Sequence, residues 1–423
     1  MNSAERHNLS FVLRLKARFA LGLKDALNDC LRVLRAVLFL RLRPPLNPGC
    51  VVVHLIGNVG DVLVAVPALM ALRERYPQSR LVLLTSAGPS GSGHAGAREL
   101  LDGVSFLDRI EAYSTDEIRG LGKMLKLLRR IRGLRPDLMV SLPPCNISLV
   151  HVIRNLVFAR LTGARFGVGY ELVSLKFLAY AQALAAGLYP GEIARNLAHL
   201  SELDAAALTA VRFELGPLTA EEGKQIDELL SDGRPFIALC PGGKQVGHRW
   251  PAERFAEVAR RLRRESGCGL LAVGSSAERE LCDAVLEAAG GGMNLAGSLS
   301  LRGTAELLSR AQLLLTNDTG PMHLAAVMNT PVVAIFGTRD LAGRWSPHGA
   351  GHELFRAVMV CKECLFAATE SDHCVKRIGV EEVLAGCRRV LERRGVGERG
   401  ARTAPLSSKD EGRDEGAKVC LEA

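Results

Sequence analysis

Three times in this sequence a short run of apolar, β-favouring residues stops at a glycine-bearing turn and passes directly into a helical pattern. The runs are Cys50-Val-Val-Val-His-Leu-Ile before Gly57-Asn-Val-Gly-Asp61, residues 236–240 before Pro-Gly-Gly-Lys244, and residues 312–316 before Asn-Asp318-Thr-Gly320. A strand without a polar face must be covered on both sides, and helices alternating with parallel strands supply that cover. The repetition therefore predicts an α/β chain. At 423 residues the chain exceeds one ordinary core and predicts two domains.

The periodicity groups the elements into two series. The first runs strand 50–56, helix 61–76, strand 81–85, helix 118–131, strand 137–142 and helix 149–161, with a Gly/Ser-rich loop at 87–97. The pattern weakens around 211–218. A second series follows with strand 236–240, helix 252–264, strand 269–274, helix 277–289, strand 312–316, helix 320–328 and strand 332–336. The expected organisation is a helix and linker over 1–48, one α/β domain over 49–215, a second over 216–394, and a tail over 395–423 whose mixed Arg, Glu, Lys, Gly and Ser lack an apolar period. Two such domains are expected to face each other across a cleft, where ligands tend to bind.

Hydrophobic residues at 48% and charged residues at 23% exclude both a polytopic membrane protein and a chain disordered throughout. The formal charge of +9 favours anionic partners. The excess is concentrated: nine Arg or Lys against three acidic residues precede position 44. There Leu15, Phe19, Leu23, Leu27, Leu31, Leu34 and Leu38 recur at helical spacing among the cations, an amphipathic basic helix ended by Pro44, Pro45 and Pro48. Such a helix suits an anionic membrane face and suits packing on the first domain equally. Arg14, Lys16, Arg18 and Lys24 interrupt it, so neither a secretory signal nor a spanning helix is expected. Eleven scattered cysteines, many in apolar runs like Cys50, Cys240 and Cys268, read as reduced buried thiols of a cytoplasmic protein. The basic helix lacks interleaved aromatics, so no nucleic-acid partner is expected.

Four segments can carry chemistry. In the first turn Gly57, Asn58 and Gly60 permit close backbone approach, and Asp61 is either a helix cap or a general base taking a proton from an acceptor hydroxyl. In the second, Gly242 and Gly243 open the backbone while Lys244, His248 and Arg249 supply positive charge before Pro251 starts a helix, an arrangement suited to a diphosphate. In the third, Asp318, Thr319 and Gly320 stand at a helix start whose N–H groups can hold a phosphate, with His323 one turn further on. In the fourth, Glu278 follows a strand and can bond a ribose hydroxyl or base amine, or stand as an exposed helix-start glutamate. Cys361, Cys364 and Cys374 form a further cluster, with His373 or Cys387 as a possible fourth zinc ligand; the irregular spacing favours structural thiols, so no metal is expected.

Together these segments resemble glycosyltransferase family 9, the lipopolysaccharide heptosyltransferase family. The resemblance lies in Thr316-Asn-Asp-Thr-Gly-Pro-Met-His-Leu-Ala-Ala, in Pro331-Val-Val-Ala-Ile-Phe-Gly-Thr-Arg-Asp with Arg344-Trp-Ser-Pro-His-Gly, in Gly60-Asp-Val-Leu, and in Arg249-Trp-Pro-Ala-Glu-Arg-Phe. It covers most of residues 50–390. It implies a GT-B fold of two Rossmann-like domains around a central cleft, and inverting transfer of heptose from ADP-heptose to a lipid-linked saccharide, with no cofactor. It also implies that Asp61 is the catalytic base, that Asp318, Thr319, Gly320 and His323 belong to the donor motif, and that Glu278 lies near the donor nucleoside or sugar. An inverting displacement needs one carboxylate on the acceptor side and N–H groups or cations at the departing diphosphate. Two positions depart from the family's pattern: His248 stands where a lysine is usual two residues before Trp-Pro, and Leu55 where a basic residue is common. Another nucleotide-sugar donor for a surface polysaccharide, a noncatalytic nucleotide-sugar or lipid-saccharide binding protein, and an epimerase on the same scaffold remain alternatives. The resemblance places the enzyme at the inner face of the cytoplasmic membrane, held there by the N-terminal helix.

Overall fold

The computed structural model describes residues 3–86, 96–143, 148–172, 191–203, 211–244, 249–337, 342–356 and 374–395. Two compact units emerge, one from the described residues within Met1–Ile226, Ser300–Ala305 and Leu341–Ser346, the other from those within Asp227–Leu299, Glu306–Asp340 and Pro347–Ala423.

The first unit holds a five-stranded sheet in the order β3-β2-β1-β4-β5, formed by β1 (Cys50–Leu55), β2 (Arg80–Ser86), β3 (Arg109–Tyr113), β4 (Leu138–Leu142) and β5 (Phe166–Val168). Every pairing is parallel, with Val52 opposite both Val82 and Met139. One face carries α1 (Ser3–Phe39), α4 (Leu121–Gly133) and α5 (Leu149–Leu161), whose Leu31, Ile131 and Leu156 share a core with Val52, Val82 and Met139. Each such side chain contributes roughly 1.5–3 kcal/mol when fully buried. The remaining helices of this unit are α2 (Val59–Arg75), α3 (Gly96–Leu101), α6 (Glu192–Ala198) and α7 (Ala220–Leu229). Asn196 of α6 donates to the Val64 carbonyl of α2 at 3.1 Å, joining those two.

In the second unit the sheet order is β11-β10-β9-β6-β7-β8, again parallel throughout. The strands are β6 (Phe236–Cys240), β7 (Gly269–Ala272), β8 (Met293–Asn294), β9 (Leu314–Asn317), β10 (Val332–Phe336) and β11 (Glu353–Arg356). Among the described residues this unit's helices are α8 (Ala252–Ser266), α9 (Arg279–Ala288), α11 (Gly320–Val327) and α12 (Val380–Arg393), while α10 (Leu301–Ser309) is divided between the two units after Ala305. Trp250, fully buried, donates its ring N–H to the Ile378 carbonyl at 3.0 Å and meets Phe255 edge-on, tying the start of α8 to the segment before α12.

Element boundaries differ from the sequence expectation where a side chain captures backbone groups. The strand expected from Asp137 begins at Leu138, and the Asp137 carboxylate accepts the Gly49 and Cys50 N–H groups at the start of β1 at 2.8 and 3.3 Å. The helix expected from Asp61 begins at Val59, with Asn58 as its N-cap. That expected at 277–289 splits into a 3-10 turn at Ser276–Glu278 and α9. The N-terminal helix lies on the first unit: Asn28 exchanges two hydrogen bonds with the Leu172 backbone at 3.1 and 2.8 Å, and Arg35 pairs with Glu202 at 2.8 Å. No helix among the described residues is long and apolar enough to cross a membrane.

Gly169, just after β5, has φ +80°, and a Cβ there would come within 2.0 Å of the Ser141 carbonyl oxygen of β4. Gly169→Ala is expected to lower the stability of the chain by roughly 2–4 kcal/mol, read from urea unfolding, through a positive φ and a backbone collision together.

Candidate functional site

The turn after β1 is shaped around one carboxylate. Asn58 ends the extended backbone, α2 starts at Val59, and Asp61 occupies the third helical position rather than the cap. Its Oδ2 reaches back to accept the Asn58 N–H at 2.8 Å. Gly57 makes this possible, since a Cβ there would stand 2.2 Å from the Asp61 Cβ and 2.7 Å from Oδ2. Gly60 is buried in the same turn.

Around Asp61 the first unit buries a charged set that the sequence did not reveal. Glu192, at the start of α6, is 2% exposed and accepts from Arg195 at 2.5 and 2.6 Å and from Arg344 at 2.7 Å. Arg195 also donates to the Pro143 carbonyl at 2.7 Å and faces the His199 ring at 3.3 Å. Glu192 and Asp61 thus face the same two guanidiniums. Burial pushes the Asp61 carboxyl above the ordinary aspartate value, opposed by the Asn58 N–H and then by Arg195 and Arg344. Burial draws the Arg344 guanidinium down to about 10, which still leaves it charged at neutral pH. His199 falls to about 3 through burial and then Arg195, so its ring is neutral. A carboxylate that is partly desolvated yet held anionic by nearby cations has the properties a general base requires.

In the second unit the turns after β6, β7 and β9 converge. Glu278 accepts the Gly243 N–H at 2.6 Å and the Ser275 N–H and hydroxyl, both at 2.8 Å. Arg249 lies 3.9 Å from the same carboxylate and donates to the Gly243 carbonyl at 2.8 Å. A Cβ on Gly242 would stand 2.1 Å from Glu278 Oε1, and one on Gly243 would stand 3.2 Å from the Thr319 methyl. Gly242, Gly243, Arg249, Glu278 and Thr319 are therefore neighbours. The Gly243 N–H, open to a phosphate on the sequence reading, is engaged by Glu278.

Thr319 is the N-cap of α11, with Gly320 as its first helical residue. The Asp318 N–H donates to the Ile335 carbonyl at 3.1 Å, fixing the turn to β10. His323 is buried and burial lowers it to about 4, so it is a neutral ring inside the helix. Lys244 is exposed, and His248 lies outside the described residues. Asn317, buried and absent from the sequence candidates, donates to the Pro241 and Gly242 carbonyls at 2.8 and 2.9 Å and accepts the Trp250 N–H at 2.9 Å. Its position before Asp318 in a strand-ending Thr-Asn-Asp run is the signal by which it could have been found.

The Cys240 thiol, 3.9 Å from the Thr319 hydroxyl, is pushed up to about 11 by burial and then by Glu278, so it stays protonated and offers no nucleophile. Among the described residues no group of three or more His, Cys, Asp or Glu side chains is arranged to hold a metal ion. Cys361, Cys364 and His373 lie outside the described residues, while Cys374 and Cys387 are buried in the second unit's apolar core.

Two parallel-sheet units, one with a buried-edge carboxylate after its first strand and the other with converging strand-to-helix turns, define the class of nucleotide-dependent group-transfer enzymes. The family model for glycosyltransferase family 9 (heptosyltransferase) matches residues 151–374, and the chain belongs to that family. It is 28% identical over 296 residues to lipopolysaccharide heptosyltransferase 2 of Salmonella typhimurium, covering 66% of this chain and 80% of that protein. The fold is shared with a glycosyltransferase family 9 structure from Veillonella parvula, at TM-score 0.63 and 20% identity over 82% of this chain and 98% of that one. It is shared likewise with the E. coli ADP-heptose LPS heptosyltransferase II, at TM-score 0.59 and 21% identity over 82% and 99%. The fold is thus GT-B, and the chain is a glycosyltransferase.

Three outcomes are expected from Asp61 and its surroundings. Gly57→Ala, by displacing the carboxylate, lowers kcat about 10²-fold in a product-release assay. Were Asp61 the general base, it would work deprotonated and activity would fall as pH drops through its pKa. Because that pKa is raised above 3.8, the acid limb of kcat/KM lies above the ordinary aspartate range. Arg344→Gln removes a charge that lowers the Asp61 pKa, and moves the limb to still higher pH.

Proposed function

We propose that this glycosyltransferase moves heptose from ADP-heptose, with inversion, onto a lipid-linked saccharide of the lipopolysaccharide core. The observation that carries the reading is the Asp61 carboxylate, reaching back to the Asn58 N–H beside the charges of Arg195 and Arg344. Asp61 takes the proton of the acceptor hydroxyl as that oxygen attacks the anomeric carbon, and the bond to the diphosphate breaks with ADP as leaving group. Gly57, Asn58 and Gly60 form the acceptor-side turn that sets this carboxylate.

In the second unit the donor's diphosphate takes the helix start at Thr319 and Gly320, beside Asp318, with Lys244, His248 and Arg249 as the cations that offset its growing negative charge. Glu278 and Asn317 hold the Gly242–Gly243 turn in shape, and His323 supports the α11 turn as a neutral ring. None of these roles calls for a metal or cofactor. The enzyme works at the inner face of the cytoplasmic membrane, where its acceptor is anchored, and α1 belongs to the part of the chain that meets that membrane.

ADP-heptose supplied with a truncated lipopolysaccharide acceptor tests the assignment. Native protein releases ADP and extends the acceptor, and Asp61→Asn lowers kcat about 10²- to 10⁴-fold with the fold retained by circular dichroism. Undiminished turnover in that variant removes Asp61 from the mechanism. Release of UDP from a UDP-sugar instead would reassign the donor, an outcome that His248 at the usual lysine position makes worth including.

A further inference from the structure

The helices covering one face of the first sheet carry exposed apolar residues on their outer sides. On α5 the exposed apolar residues Val150, Ile153, Val157 and Leu161 recur at three- and four-residue spacing, while Val152, Leu156 and Ala159 are buried beneath. On α4, Leu121 and Leu125 are exposed opposite the buried Leu127 and Ile131. On α1, Val33 and Val37 are 64% exposed while Leu31 and Phe39 are buried. All three helices rest on one core, and α5 lies against both α1 and α4. Their outer stripes therefore belong to one surface rather than to scattered sites, and a contiguous apolar surface of this kind marks an interaction face.

The charges of α4 and α5 have one sign, whereas the α1 stripe that carries Val33 and Val37 also carries the exposed Asp25 and Asp29. Helix α4 carries Lys123, Lys126, Arg129, Arg130 and Arg132, α5 carries Arg154 and Arg160, and neither helix has an acidic residue. Lys123, Lys126, Arg129 and Arg132 are exposed. A second copy would bring like charges together, at a cost in free energy. Cations interleaved with exposed valine and leucine match an anionic lipid surface, whose headgroups meet the guanidinium and ammonium groups while the short apolar side chains enter the interface.

We infer that the outer face of α4 and α5 docks the enzyme on an anionic lipid surface. This rests on the membrane reading of the proposed function and moves the principal contact away from the N-terminal helix alone. Docking by this face holds the first unit, with its acceptor-side turn, at the surface where a lipid-linked acceptor is anchored.

The test is flotation of the full-length protein with vesicles of phosphatidylcholine, alone or with phosphatidylglycerol added. The native protein floats with the anionic vesicles, and its binding weakens with salt. Val150→Asp and Val157→Asp, both at exposed positions, lower that binding at least about tenfold, and Lys123→Ala and Lys126→Ala lower it about fivefold each. All four keep the native Tm and native ADP release with a delipidated, soluble acceptor. If the native protein fails to float, the membrane reading itself falls, and this face with it. If the native protein floats and the α4 and α5 variants float equally, the membrane reading stands and this face is overturned; loss of flotation on deleting residues 1–21 then locates the attachment. A native dimer that Val157→Asp dissociates, or equal binding to both vesicle types, also overturns the inference.

Discussion

In both units a glycine's missing side chain makes room for a carboxylate, and the turn and the carboxylate hold each other in place. At Gly57 the space is taken by Asp61, and at Gly242 by Glu278, with separations of 2.2 and 2.1 Å that no Cβ could share. Each carboxylate then accepts a backbone N–H of its own turn, from Asn58 at 2.8 Å and from Gly243 at 2.6 Å. The two cases diverge in what else surrounds the group. Glu278 is further bound by Ser275 and faced by Arg249, so its oxygens are occupied in shaping the turn. Asp61 accepts the Asn58 N–H and is raised by burial, against the opposing pull of Arg195 and Arg344.

Burying Glu192 with Arg195 and Arg344 is costly unless the donors and acceptors are satisfied, and here they largely are. Glu192 accepts from both guanidiniums, its own N–H donates to the Arg344 carbonyl at 3.0 Å, and Arg195 reaches the Pro143 carbonyl. Arg195 and Arg344 also act on Asp61: their charges favour its anion, while desolvation favours the neutral acid and outweighs them.

The interior strands β6 and β10 were legible because they are apolar at every position, and they have the limits their sequences imply. The edge strands β3 and β8 were not, since Arg109, Glu111 and Asn294 interrupt short segments that no periodicity can distinguish from loops. For Asp61 the sequence left cap and base open because both occupy the first turn of a helix, and only the observed start at Val59 separates third position from cap. The Glu192 to Arg344 pair spans 152 residues, so nothing local announces it, and the one nearby sign, Arg195 three residues after Glu192, is a common surface pattern. The inward turn of Glu278 was likewise hidden, because its partner Gly243 comes from a different strand-to-helix connection.

Asn317 binds two carbonyls where the β6 loop leaves its strand and one N–H where that loop enters α8. One buried amide thus ties the exit of a strand to the entrance of the following helix, so both ends of the connection keep a fixed register to β9.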